Sequence, residues 1–246
     1  MRGLILAAGR GRFTQDDLPP AMTRLAGRTL IERQIAALRA GGATEIGVVR
    51  GYRAEAIGVA EVVWFEHPRW AQTGAVIELC TAAEWLRGGT VIVSDANIFF
   101  RHELVHALGT VRGALVVGYD RQWRTQWERR FADLAGHVEA FRRGPAGNLL
   151  AIGGAADDPD NVQGQPLGLL KVTPIAWQAV ETLLAAIEGP AKKQLDIPGL
   201  LQRLLAEKST PIGTVGTDGQ CGRIDRAADV ALYEEMVAGG ALSLEG

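Results

Sequence analysis

Cysteine is scarce in this chain, with Cys80 and Cys221 its only two, and they lack the spacing of a metal site. That excludes a disulfide scaffold and a thiolate zinc centre, and it reads as two reduced thiols in a cytoplasmic protein. The four histidines (His67, His102, His106 and His137) are scattered. His102 and His106 stand four apart on an expected helix, but no acidic pattern accompanies them, and they read as a solvated face rather than a zinc site. There is no basic excess: the formal net charge is −2 and the pI about 6.1. A nucleic-acid polymer is therefore not the expected partner, and any phosphate site must be local. No apolar segment approaches bilayer length, so no membrane association is expected, and the first apolar run reads as a strand rather than a signal peptide. Two familiar glycine loops are missing. The dinucleotide fingerprint needs a third glycine where Thr14 stands, and the phosphate loop of Gly-Lys-Ser/Thr type needs a lysine that the N-terminal loop lacks.

What is present begins with the run Leu4-Ile5-Leu6-Ala7-Ala8-Gly9-Arg10-Gly11-Arg12. An apolar run at the head of a mixed chain reads as a strand buried on both faces. Ala7 and Ala8 leave its end uncrowded. Gly9 and Gly11 permit backbone angles that bare the amide groups, and Arg10 and Arg12 add fixed charge beside them. Such a tip suits an anion, phosphate above all. A plain tight turn after a first strand is the other reading of the same residues.

The remaining chain extends the pattern. Thr14 to Pro20 reads as a flap ending in two prolines, and Met22 to Thr29 as irregular chain. Leu30 to Ala40 reads as a helix closed by Gly41-Gly42. Strands are expected at Ile46–Val49, Val62–Phe65 and Thr90–Ala96, a helix from about Ala75 to Leu86, then helix 101–109 and strand 114–119. This β-α alternation implies a parallel sheet covered on both faces, with ligands beyond the carboxyl ends of its strands. Gly9, Gly51 and Asp95 fall at such ends. After residue 120 the alternation stops. Asp120 to Arg130 is polar, with Trp123 and Trp127 four apart. Val138–Arg142 and Leu149–Ile152 read as a hairpin. A strand at Leu167–Val172, a helix at 174–187, a helix opened by Asp196, a strand at Pro211–Val215, a short strand ending in Ile224-Asp225 and a helix from Ala227 to Val237 complete the chain. With no repeat or low-complexity linker, the expectation is one domain over residues 1–246 with an inserted lobe, its β-α alternation ending near residue 120. At 246 residues and 47% hydrophobic the chain is large enough for that core.

The order of these pieces resembles a known family. Ala-Ala-Gly-x-Gly-x, a Leu-Pro flap, Gly-x-x-Leu-Ile-Glu at Gly27–Glu32, Asp95 on a buried strand and Ile224-Asp225 near the end are similar to the nucleotidyltransferases that join an NTP to a phosphorylated small molecule. The second half resembles a narrower branch, the phosphocholine and phosphonate cytidylyltransferases. The matching stretches are Tyr119-Asp120 with Trp123 and Trp127, Arg130-Phe131, Glu139, Ile152-Gly153-Gly154, Gln163-Gly164-Gln165, Asp196 before Gly199-Leu200-Leu201, and Asp225 before Asp229 and Tyr233. The resemblance implies an α/β fold with a Rossmann-like, mixed, mostly parallel sheet and a small inserted β lobe. It implies transfer of CMP from CTP to a small phosphonate or phosphocholine-like acceptor, with release of pyrophosphate. It further implies Mg²⁺ held by Asp95 and Asp225, amides from Ala8 to Gly11 cradling the triphosphate, and Arg12 on its outer phosphates. Leu6 and Ala7 would border the base, with Arg10 and Arg24 as further nucleotide-side cations. Asp120, Trp123, Glu139, Gln165 and Asp196 would meet the acceptor. The residues by themselves leave plainer roles available: Asp196 and Asp225 as helix caps, Trp123 and Trp127 as packing, Glu139 as an outward strand residue.

The chain also departs from the pattern. The usual Leu-Pro-Lys has Pro20 in place of its lysine, the usual Thr-Asn is Thr73-Gly74, the usual Gly-Asp at the metal strand is Ser94-Asp95, and an acid two places before the late aspartate is Arg223. Pro20, Gly74 and Arg223 leave a non-catalytic nucleotide-binding relative as a second expectation, and fold resemblance alone leaves a sugar-1-phosphate nucleotidyltransferase as another. A monomer or homodimer is expected.

Overall fold

The computed structural model describes residues 1–244. Strand β1 (Arg2–Ala7) opens the chain, and its alternation divides the core. Leu4 and Leu6 point to one face and Ile5 and Ala7 to the other, and all four are buried. A tiny hairpin, β2 (Arg24–Leu25) and β3 (Arg28–Thr29), turns through Ala26 and Gly27 where irregular chain was expected. It leads into α1 (Leu30–Ala40). Thr29 caps this helix, its hydroxyl accepting the Glu32 amide while the Glu32 carboxylate accepts the Thr29 amide. Next come β4 (Glu45–Arg50) and β5 (Val63–Glu66). The helix expected over 75–86 is two helices, α2 (Ala75–Cys80) and α3 (Ala83–Gly88). The Thr81 amide and hydroxyl both bond back to the Glu78 carbonyl and close the first of them.

The chain continues through β6 (Val91–Asp95), β7 (Ile98–Phe99), α4 (His102–Thr110) and β8 (Leu115–Asp120). The polar stretch with two tryptophans is α5 (Trp123–Arg130). The inserted hairpin is β9 (Glu139–Arg143) with β10 (Leu149–Ala155). After β11 (Gln165–Val172) come α6 (Pro174–Ala186), α7 (Pro190–Lys193), α8 (Ile197–Glu207) and β12 (Ile212–Thr217). The last two elements are β13 (Gly222–Arg223) and α9 (Ala227–Ala238).

Seven strands form the central sheet in the order β12-β8-β11-β6-β1-β4-β5. β11 runs antiparallel to both neighbours, and the other pairings are parallel. The fold is thus the mixed, mostly parallel α/β sheet that the sequence implied. Helices α2, α3, α6 and α8 cover one face, and α1 and α4 the other. From β1 the chain first builds outward through β4 and β5, then returns to lay β6 on the opposite side of β1. That reversal is the topological switch point, where the loops leaving two parallel strands diverge and leave a crevice. Leu6 and Asp95 are register partners at this point.

Gln34, buried on α1, pins the turn that follows β6. Its Nε2 donates to the Asp95 and Ile98 carbonyls at 3.0 and 2.6 Å, and its Oε1 accepts from Ser94 Oγ. Replacing Gln34 with alanine removes the side-chain donor of the Ile98 carbonyl and leaves the Asp95 carbonyl only Ser94 Oγ as a side-chain donor. Urea denaturation of Gln34→Ala is expected to read a loss of about 2–4 kcal/mol; a loss near zero would show that the turn holds itself.

Candidate active site

The glycine loop after β1 is shaped by contacts on three sides. The Ala8 carbonyl accepts the Tyr52 amide at 2.8 Å, and the Ala8 amide donates to Glu78 Oε1 at 2.8 Å. The Ala8 N–H expected in a phosphate cradle is therefore already bonded, and the bare amides begin at Gly9. Gly11 has φ +67°, and a β-carbon there would fall 2.6 Å from the Pro20 ring. So Pro20, in the position of the family lysine, is buried against the loop and sets its shape by packing. Gly74 has an equally local reason. The segment 193–195 passes so close that a β-carbon at Gly74 would lie 2.6 Å from the Leu195 carbonyl oxygen.

The arginines near the loop separate. Arg10 turns back to the flap, 3.6 Å from Asp17 and over the Tyr52 ring, and Asp17 also accepts from Tyr52 Oη and pairs with Arg53. Arg24 lies in β2 outside the cleft, its Nη1 donating to the Gly27 carbonyl. Arg12 lines the cleft.

That cleft has a volume of about 740 Å³ and brings together residues from both halves of the chain. Asp95 enters from the end of β6. Asp225 arrives by a different route: β13 pairs antiparallel with β7, the Ile224 amide donates to the Asn97 carbonyl, and Asn97 Nδ2 donates to Asp225 Oδ1 at 2.9 Å. Both carboxylates are partly buried and each has an arginine on it, Arg223 on Asp95 Oδ2 and Arg130 on Asp225 Oδ2, both at 3.0 Å. Burial raises the Asp95 pKa, and although Arg223 opposes that rise, Asp225 and Asp196 add to it. Two oxygen-only ligands that repel one another across a polar cleft suit a hard divalent cation. Among the described residues no three His, Cys, Asp or Glu side chains form a closed metal cluster. A cation between this pair would therefore complete its shell with phosphate and water oxygens.

Of the expected acceptor residues, Glu139, Gln165 and Asp196 line the cleft. Burial raises the pKa of Glu139, with Arg223 opposing, and its Oε2 has no partner in the protein. Gln165 spends its amide on the Glu139 and Gly164 backbone, so it supports the start of β9. Asp196 caps α8 by accepting the Gly199 amide at 2.8 Å. Two expectations need correction. Asp120 is buried off the cleft, where its Oδ1 accepts the Gln122 and Gly219 amides and anchors a turn. Trp123 is buried in a separate small cluster with Trp127 and Val138. Trp127 does reach the cleft, but the Arg130 guanidinium covers its ring at 4.7 Å. Phe131, also on the cleft, is stacked by His137 at 4.1 Å and has the Arg226 guanidinium over its ring at 4.3 Å.

Two residues that shape the site, Asp229 and Glu78, have no role assigned from the sequence. Asp229, with a side chain 1% exposed, takes a two-point bond from Arg130, accepts from Arg226 Nη2, and accepts the Asp225 and Arg226 amides. It therefore sets the direction of the Asp225 loop. Glu78 is a carboxyl in an otherwise apolar helix stripe between Val76 and Leu79, and that oddity was its only signal. Burial pushes its pKa up to about 8, even though the Ala8 amide favours the ionised form.

A glycine loop whose Arg12 shares a cleft with two carboxylates, one of them closing β6 at the switch point of a mixed α/β sheet, is the arrangement expected of a nucleotidyltransferase. Residues 3–192 match the model of the MobA-like NTP transferase domain, and the chain belongs to that family. It is 25% identical to the CTP:phosphoglutamine cytidylyltransferase of Campylobacter jejuni, over 96% of this chain and 100% of the relative. Among solved structures it resembles the CTP:phosphocholine cytidylyltransferase of Streptococcus pneumoniae (TM-score 0.70, 19% identity, 96% of this chain and 98% of that one). It is also similar to the inositol-1-phosphate CTP transferase of T. maritima (TM-score 0.71, 17% identity, 96% and 94%). No helix among the described residues is long and apolar enough to cross a membrane.

Two expectations follow from the site's buried charges. Asp229→Ala leaves the enclosed Arg130 charge with only Asp225 as a partner. Its unfolding free energy is expected to drop by about 3–5 kcal/mol, read from chemical denaturation; a drop under about 1 kcal/mol would remove Asp229 as the anchor. Native Glu78 keeps its proton to about pH 8, whereas a free glutamate releases it near 4.5. The native state binds the extra proton in that window, so stability contributed by Glu78 is lost as pH rises through it. Glu78→Gln should flatten the decline of stability with pH by up to about 1.4 kcal/mol per pH unit; an unchanged slope would show that Glu78 ionises normally.

Proposed function

We propose that the protein transfers CMP from CTP to a small phosphorylated or phosphonate acceptor, releasing pyrophosphate. The observation that carries this reading is the meeting of Asp95 and Asp225 in one cleft with Arg12. In the reading, the amides of Gly9, Arg10 and Gly11 hold the triphosphate, with Arg12 on its outer phosphates. The base would lie over the end of β1, where Leu6 and Ala7 are buried on opposite faces of the sheet. Asp95 and Asp225 would hold Mg²⁺, which when bound neutralises charge on the phosphates that must approach each other. The chain's own contribution is alignment: the acceptor oxygen attacks the α-phosphorus opposite the leaving pyrophosphate, and fixed guanidinium groups receive the charge that builds up there.

The acceptor end favours a molecule with both charge signs. A quaternary ammonium would look for a free aromatic face, but Arg130 lies over Trp127, and His137 and Arg226 lie on Phe131. Arg226 offers a carboxylate a partner, while Glu139 and Asp196 offer one to an ammonium. That chemistry fits an amino-acid-like acceptor such as the phosphoglutamine named for the Campylobacter relative better than phosphocholine. The non-catalytic alternative rested on Pro20, Gly74 and Arg223, and the first two have packing explanations in this structure.

Incubation with CTP, Mg²⁺ and a panel of phosphoglutamine, phosphocholine, 2-aminoethylphosphonate and sugar 1-phosphates is expected to release pyrophosphate, fastest with a zwitterionic acceptor and faster with CTP than with UTP or GTP. Asp95→Asn and Asp225→Asn should each lower kcat by about 10²–10³-fold. Absence of pyrophosphate across the panel would sink the proposal.

A further inference from the structure

Arg223 stands where the family places an acid, and the structure gives its guanidinium a definite seat. Nη2 donates to Asp95 Oδ2 at 3.0 Å. Burial works against the charge, yet Asp95, Asp225 and Glu139 together raise the Arg223 pKa. The pair also has a wall behind it. Gly168 on β11 has φ +74°, and a β-carbon there would lie 2.2 Å from Asp95 Oδ2 and 2.9 Å from Arg223 Nη2. The β11 backbone thus lies directly against the ion pair, and a side chain at position 168 would displace it besides being strained at this φ. At the other end of the side chain, β13 is fixed by its pairing with β7 and by the Arg223 amide, which donates to Tyr233 Oη.

A divalent cation drawn to Asp95 meets a guanidinium already on one of its oxygens. Two cations cannot share that oxygen without strong repulsion in a partly buried site. A triphosphate changes the competition, because guanidinium pairs well with phosphate oxygens, in the two-point geometry that it also uses with carboxylates. Arg223 is a flexible side chain about a quarter exposed to the same cleft.

We propose that Arg223 is a resident counter-ion, which occupies Asp95 in the nucleotide-free protein and moves to the phosphates when CTP binds, so that the carboxylate becomes available to a metal only with nucleotide present. The proposal rests on the reading of Asp95 and Asp225 as the metal pair. Its consequence is positive coupling between nucleotide and metal, which by linkage acts equally in both directions. Arg223 is here a positioning residue that acts through Asp95.

The test uses Mn²⁺ as the probe and its electron paramagnetic resonance signal as the readout, so that no turnover is needed. The full-length wild type, Arg223→Gln, Arg223→Lys and Asp95→Asn are titrated with Mn²⁺ alone and again with CTP, after circular dichroism has established folding. Arg223→Gln is expected to bind Mn²⁺ without nucleotide at least about tenfold more tightly than the wild type, and CTP should improve its Mn²⁺ affinity much less. Arg223→Lys should fall between the two, and it carries the comparison if the glutamine variant does not fold. If Arg223→Gln binds Mn²⁺ alone no better than the wild type, while CTP still recruits Mn²⁺ to the wild type in an Asp95-dependent manner, the counter-ion role is overturned and the metal pair stands. If the wild type holds no Mn²⁺ even with CTP, or Asp95→Asn holds it equally well, the metal reading falls and this proposal with it.

Discussion

The buried pair of Arg130 and Asp229 is the interaction on which the site depends. It joins α5 to the first turn of α9 across the cleft wall, and the same Asp229 carboxylate accepts the backbone amides of Asp225 and Arg226. A buried ion pair of this kind contributes little net stability, since both charges lose their hydration. Its value is geometric. With Asp229 in place, Asp225 has one direction to face, and Asn97 completes its hold from the turn that follows β6. Two carboxylates 130 positions apart in the chain then meet in one cleft, as the difference of 225 and 95 makes plain.

Charge in this cleft is balanced within the protein. Arg12, Arg130, Arg223 and Arg226 line it together with Asp95, Glu139, Asp196 and Asp225. Such a site does not draw anions by a bulk positive field, in keeping with the chain's net charge of −2. In the reading proposed above it would bind them by exchanging partners, an arginine leaving a carboxylate for a phosphate. The cations are all guanidinium, and the chain has no lysine before Lys171. Guanidinium stays charged when buried and bonds at two points, whereas an ammonium readily loses its proton in such surroundings. In this setting Pro20 is intelligible: the loop takes its shape from a proline ring packed on Gly11, and charge is supplied from elsewhere in the cleft.

The legible parts of the sequence were those governed by local periodicity. Helix α1 lies at Leu30–Ala40, as its apolar stripe and flanking glycines indicated, and β1, β6 and β11 appear as apolar runs within a residue or two of the expected limits. The less legible parts were those where a polar residue answers a distant partner. The family resemblance placed Asp120 at the acceptor, but its bonds go to the Gln122 and Gly219 amides. The resemblance placed Trp123 at the acceptor, whereas its helical spacing also allowed packing, and it is core. Glu78 is a single carboxyl in an apolar helix stripe, and its packing under the Ala8 amide makes it a buried acid.

The sequence by itself determined the sheet-forming runs, the glycine loop, the acid closing β6 and the family to which the chain belongs, because each depends on residues close together along the backbone or on their order. Only the tertiary structure decided which charges share the cleft and which are spent holding it together. The reason is physical: a carboxylate's role depends on burial and on whichever donor lies within about 3 Å of it, and in this fold those donors come from strands and helices far removed in the chain.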